Sequence, residues 1–391
     1  MSTTDRGGFD PTAFLPDELL ERIRERAPIH DRENTFPQQD LDELRAAGYL
    51  SILVPAERGG AGLGLAEAAL LQQRLATAAP ATALAINMHL VWTGVAKVFS
   101  DRGVAGLEFV QDGAVAGEVF AFGISEAGND LVLFGSETDA TPLPDGGYAF
   151  TGTKIFTSLA PVWSKLGLHG LDTTSADAPK LVFAFVERTA EVTTSDDWDT
   201  LGMRGTQSRT TRLAGAQAPP QHVVRRIDPG PTPDPIVFGI FSVFEILLAS
   251  VYTGIARRAL DVAAQTAATR RSKKTGKTYD QDPDIRWRIA DMALAYDALP
   301  PQIATLAHDV DARIDHGARW FSLLSGVKHR AITTAKHVVD QAMLVAGGGS
   351  YFSANELSRL YRDVLAGAFH PSDPESAHAT AATAWLGPID S

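Results

Sequence analysis

Glu245 is the residue whose setting in this sequence most strongly suggests chemistry. It is the only charged residue in the stretch 236–256, which is otherwise almost wholly apolar. Burying a carboxylate is costly unless the group is paired or functional, and desolvation raises its pKa toward neutrality. Such a group can act as a general base. Glu245 is therefore a candidate catalytic residue, and a buried structural ion pair is the alternative.

A histidine near the C-terminus is the second candidate. His370 follows the segment 361–369 and precedes Pro371, Ser372 and Asp373. Imidazole readily gives or takes a proton near neutral pH, which suits general acid–base work. A histidine at the end of a helix can also be a capping or loop residue. Both interpretations of His370 stay open on the sequence alone.

Segment 270–277, which begins with Arg270, is the densest cluster of basic residues. Clustered guanidinium and ammonium groups can bind a pyrophosphate or another phosphate. The alternative is a solvated helix end, where cations interact favourably with the helix dipole. The glycine run 347–349 is a further candidate, since glycine lets backbone approach a ligand closely. A helix C-cap is the alternative for this run.

Composition excludes several classes of protein. The chain has 391 residues, a net charge of −12 and no cysteine. The acidic balance argues against nucleic acid or an anionic membrane as the main partner. Thiolate catalysis, disulfides and cysteine metal sites are excluded, and the histidines lack ligand spacing, so no metal site is expected. No secretory signal is visible at the N-terminus, and a cytoplasmic location is expected.

The texture of the sequence divides the chain into three parts. Helical periodicity dominates 16–120, with a break expected at Pro80, and short strand-like runs separated by turn residues follow to about 224. A proline-rich linker over 228–235 leads into long helical segments at 236–271, 284–314, 317–346 and 353–365. We therefore predict an α+β protein: an N-terminal helical domain (1–118), a middle β-barrel or β-sandwich domain (119–228) and a C-terminal four-helix bundle (229–391). The apolar stretch within 236–256 is expected to be a buried helix and not a membrane span.

Several motifs in a fixed order resemble the acyl-CoA dehydrogenase superfamily over nearly the whole chain. They lie at 31–37, 44–50, 54–60, 124–130, 152–158, 201–206, 347–351 and 361–371. The resemblance implies the fold predicted above, a flavin cofactor and a homotetramer. It also places Pro371 where most dehydrogenases of the family carry the catalytic Glu. Glu245 falls one residue after the alternative position that a minority of the family uses, a displacement of about 100° around a helix.

The resemblance also assigns the flavin pocket residue by residue. Ser125 and Ser158 correspond to hydroxyl contacts of the flavin ring, and Phe156 to the aromatic residue beside it. Arg270 corresponds to the arginine that binds the FAD diphosphate, while Gly347 and Gly348 would approach FAD from a neighbouring subunit. The Phe-Gly that normally follows this arginine motif is absent here. His89 and Asn129 are further candidates for the polar part of the pocket.

Three functions follow as expectations. The first is FAD-dependent α,β-dehydrogenation of an acyl-CoA, with Glu245 as base and an electron-transfer flavoprotein as partner. The second is a two-component monooxygenase that uses reduced FMN or FAD from a flavin reductase, because His370 resembles a histidine of the monooxygenases built on this fold. The third is a flavin- or acyl-binding homologue without catalysis.

Overall fold

Helices occupy both ends of the chain and a mixed sheet lies between them in a computed structural model that describes residues 9–389. The first helices are α1 (Asp17–Glu33), α2 (Gln38–Ala46), α3 (Leu65–Ala76), α4 (Pro80–Asp101) and α5 (Glu108–Val115). The strands are β1 (Phe120–Gly123), β2 (Asp139–Pro142), β3 (Tyr148–Thr157), β4 (Lys165–Asp172), β5 (Lys180–Glu187), β6 (Val192–Thr194), β7 (Arg209–Ala218) and β8 (Val223–Ile227). The later helices are α6 (Pro235–Thr269), α7 (Pro283–Asp297), α8 (Leu299–Asp311), α9 (Trp320–Ala346), α10 (Glu356–Leu365) and α11 (Pro374–Leu386).

The sheet has the strand order β6-β7-β3-β2-β4-β5-β8, and β1 pairs with β4 in parallel. The other pairings are antiparallel except for a parallel contact between β2 and β4. Helix α4 joins the N-terminal helices to this sheet. The Trp92 indole donates a hydrogen bond to the Ala121 carbonyl (2.9 Å), and the Phe120 amide donates to His89 Nδ1 (3.1 Å). His89 therefore has a structural role at this junction.

Helix α6 forms the centre of the protein and contacts α3, α4 and α9. It is long and apolar enough to cross a membrane by length and composition, but 89% of its most apolar window lies in the interior. Close packing with α3 depends on Gly254, where an added Cβ would lie 2.4 Å from the Gln73 carbonyl oxygen. A side chain there would force the two helices apart.

The structure confirms the predicted fold class and corrects some element boundaries. The break before Pro80 is present, as are the three predicted helical and strand-rich regions. The predicted helix 284–314 is two helices, α7 and α8, because Pro300 and Pro301 fit the first turn of a helix but not its interior. Helix α11 was not predicted. The domain limits at 118 and 228 stay predictions, although helix gives way to strand between Val115 and Phe120.

A buried ion pair links the β1–β2 connection to β3. Lys154 Nζ lies 2.6 Å from Glu126 Oε1, and both side chains are almost completely buried. Glu126 also accepts hydrogen bonds from the Thr138 and Ser136 hydroxyls. Burial alone would raise the pKa of Glu126, but the Lys154 charge and these hydrogen bonds lower it to about 2. Asn129 donates to the other carboxylate oxygen, so it supports this network instead of completing a polar pocket.

Loss of this ion pair should be strongly destabilising. We expect Lys154→Met to lower the free energy of unfolding by about 3–5 kcal/mol, because it leaves the Glu126 charge buried without its partner. The matched control is Lys180→Met, whose partner Asp228 is largely exposed, and its effect should stay below about 1 kcal/mol. Urea unfolding of both variants measures the difference. Equal losses would contradict the structural role of the buried pair.

Candidate active site

One cavity of about 290 Å³ lies where the three regions of the chain meet. Its walls come from α4, from the ends of β1 and β3, from the segment 198–208, from α6, and from the end of α10 with the residues that follow it. The residues that line it are Leu84, Met88, Phe122, Ser125, Phe156, Ser158, Trp198, Thr200, Leu201, Gly202, Met203, Thr206, Ser208, Phe244, Arg362, Leu365, Ala366, Phe369, His370 and Pro371. The lining is mostly apolar, with hydroxyl groups on the side of the sheet and Arg362 and His370 on the side of α10. Among the described residues, no Asp or Glu lines the cavity.

An irregularity at the end of β3 turns Phe156 toward this cavity. The pairing of β3 with β7 shifts register between Lys154 and Thr157, and Phe156 has a φ of 56°. A bulge of this kind redirects a side chain at the edge of a ladder. Phe156 is 53% exposed and packs edge-on against Trp198, with ring centroids 6.1 Å apart. The sheet therefore presents an aromatic surface at the cavity mouth.

The sheet side of the cavity is held rigidly by the buried ion pair described above. Ser125 immediately precedes Glu126, and its carbonyl accepts a hydrogen bond from the Ile155 amide (2.9 Å). Lys154 lies on the same strand as Phe156. The ion pair and this backbone bond thus fix the predicted flavin contacts Ser125, Phe156 and Ser158 relative to one another. The three residues line one cavity, as the sequence predicts, and their roles stay predictions.

The Arg-Asp pair at the end of α10 pins the segment that contains Trp198 and Met203. Asp363 accepts a hydrogen bond from the Met203 amide (2.6 Å), and Arg362 donates to the Leu201 carbonyl (3.0 Å). Arg362 also forms a bidentate ion pair with Asp31 (2.8 and 2.5 Å). These bonds explain why the Arg-Asp motif and the motif at 201–206 occur together in one sequence.

His370 stands at the opposite wall and bonds to a buried tyrosine. Its Nε2 lies 2.7 Å from the Tyr252 hydroxyl. Among the described residues, Tyr252 has no other hydrogen-bond partner, so a tyrosine that accepted from Nε2–H would leave its own buried proton unpaired. Such a loss costs about 1–3 kcal/mol, which favours Tyr252 as the donor and leaves the His370 proton on Nδ1.

The charge state of His370 differs from the sequence-based expectation. Burial, with the nearby Lys328 charge, lowers the pKa of His370 to about 3. The imidazole is therefore neutral at neutral pH. It is a poor general base and is not an imidazolium acid in the free protein. What it offers the cavity is a neutral hydrogen-bond donor.

Lys328 on α9 holds the backbone of the segment 370–372. Its ammonium group donates to the carbonyls of His370 (3.0 Å), Pro371 (3.0 Å) and Ser372 (2.7 Å). All three donors of the ammonium group are used, and Lys328 is only 1% exposed. Pro371, at the position of the usual catalytic Glu, is thus part of a backbone segment fixed by a cation. No sequence motif indicated this role for Lys328.

Glu245 does not line the cavity. Its neighbour Phe244 does, and one residue further along α6 the side chain turns away from the cavity, toward Lys328. Burial raises the pKa of Glu245, and the Lys328 charge opposes that rise. Among the described residues, Glu245 and Lys328 form no direct ion pair, and Glu245 Oε2 has no hydrogen-bond partner. The geometry therefore supports a structural role for Glu245 beside Lys328.

Arg270 and the glycine run form a separate group outside the cavity. Arg270 donates to the Ala346 carbonyl (2.6 Å), and an added Cβ on Gly347 would lie 2.9 Å from Arg270 Nη1. Gly348 is exposed beside them. Arg270 itself is exposed, and its ring contact is with Tyr279. The structure therefore brings together the two predicted FAD-binding groups, but not with Ser125 and Ser158.

Comparison with known proteins identifies the family. Two family models match: "Acyl-CoA dehydrogenase, N-terminal domain" over residues 13–101 and "Acyl-CoA dehydrogenase, C-terminal domain" over residues 246–372. Together they cover more than half of the sequence. The chain belongs to the acyl-CoA dehydrogenase superfamily.

Relatives of this superfamily member include nitrososynthases and monooxygenases as well as a protein named as a "putative acyl-CoA dehydrogenase". Amino sugar nitrososynthase DnmZ of Streptomyces peucetius is 28% identical over 94% of this chain and 92% of its own length. Dibenzothiophene monooxygenase of Rhodococcus qingshengii is 26% identical over 95% of this chain and 92% of its own. The structure of KijD3 with FMN and dTDP-3-amino-2,3,6-trideoxy-4-keto-3-methyl-D-glucose has 26% identity and a TM-score of 0.85, over 98% and 96% of the two chains.

The chain is accordingly a flavoenzyme of this fold, and flavin is its cofactor. The residues present suit such a group. Phe156, Leu201 and Phe369 at the cavity rim are 53%, 62% and 78% exposed, an unusual amount of apolar surface that a planar aromatic ring would cover. The Ser125 and Ser158 hydroxyls at the sheet wall are the polar groups that would orient such a ring, as the sequence predicts.

The hold of Lys328 on the segment 370–372 can be tested by stability. We expect Lys328→Met to cost about 3–5 kcal/mol of unfolding free energy, because it leaves buried carbonyls unpaired and Glu245 without a counter-charge. Lys336→Met on the same helix is the control, since its pair with Asp340 is exposed. The double variant Lys328→Met/Glu245→Leu should recover part of the loss in urea unfolding. A Lys328→Met loss no larger than that of the control would contradict this role.

The neutral His370 predicts acid sensitivity. In the unfolded chain a histidine binds a proton below about pH 6.5, whereas folded His370 does so only near pH 3. Protons therefore favour the unfolded chain in this interval, and stability should fall as pH falls from about 6.5 toward 3. His370→Gln should flatten this slope in urea titrations at several pH values. The exposed His308→Gln should leave it unchanged, and an unaltered slope in His370→Gln would refute the assignment.

Proposed function

We propose that this protein is a monooxygenase that takes reduced flavin from solution and oxygenates a neutral, largely apolar substrate. The observation that carries the proposal is the absence of any carboxylate among the cavity-lining residues. Removal of an α-proton from an acyl thioester requires such a base beside the substrate. Pro371 stands where the family's usual base would be, and Glu245 faces Lys328. Acyl-CoA dehydrogenation, the first expectation from the sequence, therefore has the weaker support.

The proposed reaction balances with one molecule of oxygen. One oxygen atom enters the substrate, and the other leaves as water after it takes up two electrons and two protons. When bound, the reduced flavin supplies both electrons and the two hydrogens, and it is released oxidised. A flavin reductase is the partner that this stoichiometry requires. An electron-transfer flavoprotein would be needed only for the dehydrogenase alternative.

The residues of this chain have distinct parts in the proposal. Ser125, Phe156 and Ser158 hold the flavin ring on the sheet wall. The apolar side chains of α4 and α6, including Met88 and Phe244, take the substrate and exclude water. The neutral imidazole of His370, oriented by Tyr252, donates an N–H hydrogen bond to the oxygen atom on which negative charge develops during the reaction. Gly347, Gly348 and Arg270 lie outside this cavity, so we propose them only for a longer cofactor that spans two subunits of a homotetramer.

A second candidate is oxidation of the amino group of a nucleotide-linked sugar. The specific observation in its favour is the 28% identity to a nitrososynthase over almost the whole chain. The cavity itself favours the apolar substrate, because it has no carboxylate to bind an ammonium group or sugar hydroxyls. The cluster at 270–277 carries several positive charges but lies elsewhere on the chain. A cytoplasmic location stays a prediction.

The decisive experiment follows labelled oxygen. We expect reduced FMN, ¹⁸O₂ and an aromatic heterocycle such as dibenzothiophene to give a product with one ¹⁸O atom. His370→Asn should lower coupled product by about 100-fold, the usual effect of losing one donor to a developing oxyanion. Glu245→Gln, assayed well below its unfolding transition, should keep the activity within about threefold.

Acyl-CoA thioesters provide the opposing test. Mixed anaerobically with the FAD-loaded protein, they should leave the flavin oxidised. Bleaching by an acyl-CoA that disappears in Glu245→Gln would establish the dehydrogenase and overturn our proposal. No bleaching by any acyl-CoA, together with no incorporation of oxygen into any heterocycle or amino sugar, would instead favour a homologue without catalysis.

A further inference from the structure

A chain of three hydroxyl groups runs along the sheet wall of the cavity and ends on a backbone carbonyl. Ser158 Oγ lies 2.7 Å from Ser208 Oγ, which lies 2.7 Å from Thr206 Oγ1. The Thr206 hydroxyl donates to the Met203 carbonyl (2.9 Å). The three side chains line the cavity and are at most 6% exposed. Solvent therefore has little access to compete for these bonds.

The spacing of this chain is set by the backbone. The Leu159 amide donates to the Thr206 carbonyl (3.2 Å), and the Ala160 amide donates to the Gln207 carbonyl (3.3 Å). These bonds join the turn after β3 to the segment before β7. Ser158 and Ser208 are thus held opposite each other without help from a ligand.

The direction of the chain follows from its end. A carbonyl can only accept, and a hydroxyl has a single proton to donate. If Thr206 gives its proton to Met203, Ser208 must donate to Thr206 and Ser158 must donate to Ser208. Ser158 then presents only lone pairs to the cavity. The reverse direction loses the bond from Thr206 to Met203.

We infer that this hydroxyl chain makes Ser158 a hydrogen-bond acceptor, so that the site selects a ligand that offers an N–H group there, namely reduced over oxidised flavin. Reduction of the isoalloxazine ring places a hydrogen on N5, the ring atom that the resemblance places near Ser158, whereas the oxidised ring has only a lone pair there. The inference rests on the proposed function, which seats the ring against Ser158. Thr206 and Ser208 are then positioning residues, since they act through Ser158.

The size of the preference for reduced flavin follows from the one hydrogen bond that is lost when the hydroxyl chain reverses. An oxidised ring that accepts from Ser158 requires the reversed chain and the loss of one hydrogen bond. One net hydrogen bond corresponds to about a fivefold change in an equilibrium constant. We expect the chain to contribute about this factor to the ratio of the Kd for oxidised FMN to the Kd for reduced FMN.

Thr206→Val tests the inference. It keeps the shape of the side chain and removes the end of the hydroxyl chain, so Ser158 becomes free to donate. The Met203 carbonyl still accepts from the Thr206 backbone amide (3.0 Å), which the variant retains. The Kd values for oxidised FMN and for anaerobically reduced FMN are measured with the full-length protein, and their ratio should fall about fivefold in Thr206→Val.

Thr200→Val is the matched control. Thr200 also lines the cavity, but its hydroxyl donates to the Gly202 carbonyl (2.9 Å) and takes no part in the chain. Its Kd ratio should equal that of the wild type. Ser208→Ala breaks the chain at its middle and should reproduce the Thr206→Val result if that variant folds poorly.

The outcomes separate this inference from the proposed function. Tight binding of reduced FMN with an unchanged ratio in both Thr206→Val and Ser208→Ala would overturn the inference alone. A wild-type preference for oxidised FMN would also overturn it. Failure of the wild type to bind either form would overturn both, whereas a ratio that falls in the chain variants but not in Thr200→Val supports the inference.

Discussion

The candidate site depends most on three hydrogen bonds, which the Lys328 ammonium group donates to the successive carbonyls of residues 370–372. They convert the end of α10 and the residues after it from a loop into a fixed wall. Burial of a cation is costly, and the three carbonyl oxygens that accept from Lys328 offset that cost. The arrangement therefore joins α9 and the segment 370–372 into one unit and fixes the position of His370, while burial, with the Lys328 charge, lowers the pKa of His370 and keeps its imidazole neutral.

The opposite wall is built on the same physical principle with different residues. Lys154 is buried beside Glu126, and their ion pair fixes the strand ends that carry Ser125 and Ser158. Each wall is thus set by a buried lysine whose donors are used by protein groups and not by the ligand. A cavity formed in this way exists before a ligand binds, which reduces the ordering cost of binding. Its lining can then stay mostly apolar, because the Lys154 and Lys328 charges lie behind the lining residues.

The fold could be predicted well from the sequence because the features that indicate it are spread along the whole chain. Motifs in a fixed order, the proline-rich linker and the three changes of texture all agreed, so one wrong boundary, such as the missed break at Pro300, did little harm. The site was harder to predict. Glu245 was correctly singled out as unusual, but a displacement of one residue on a helix decides whether a side chain faces a cavity or a lysine. Lys328 sits in an ordinary helical context, and nothing local distinguishes it from a surface lysine.

The hydroxyl chain shows why other parts of the site could not be predicted from sequence. Ser158 was identified through a motif, but its hydrogen-bonding character depends on Ser208 and Thr206, which only strand pairing brings beside it. Whether a hydroxyl group acts as a donor or as an acceptor depends on the hydrogen-bond network around it and not on the residue type alone. The same holds for His370, whose residue type suggested acid–base work while its surroundings make it a neutral donor.

Electrostatics explains why a wall of this kind suits oxygen chemistry better than proton abstraction. A carboxylate beside the substrate raises the cost of any further negative charge in the cavity. Here Pro371, which the resemblance places at the position of the usual carboxylate, has its carbonyl bonded to Lys328, and the adjacent His370 is a neutral donor. Negative charge that develops on oxygen as it takes up electrons therefore meets a hydrogen-bond donor with a cation behind it, in a medium of low polarity where such interactions are strong. Replacement of one carboxylate by a clamped backbone segment thus reverses the sign of charge that the cavity stabilises.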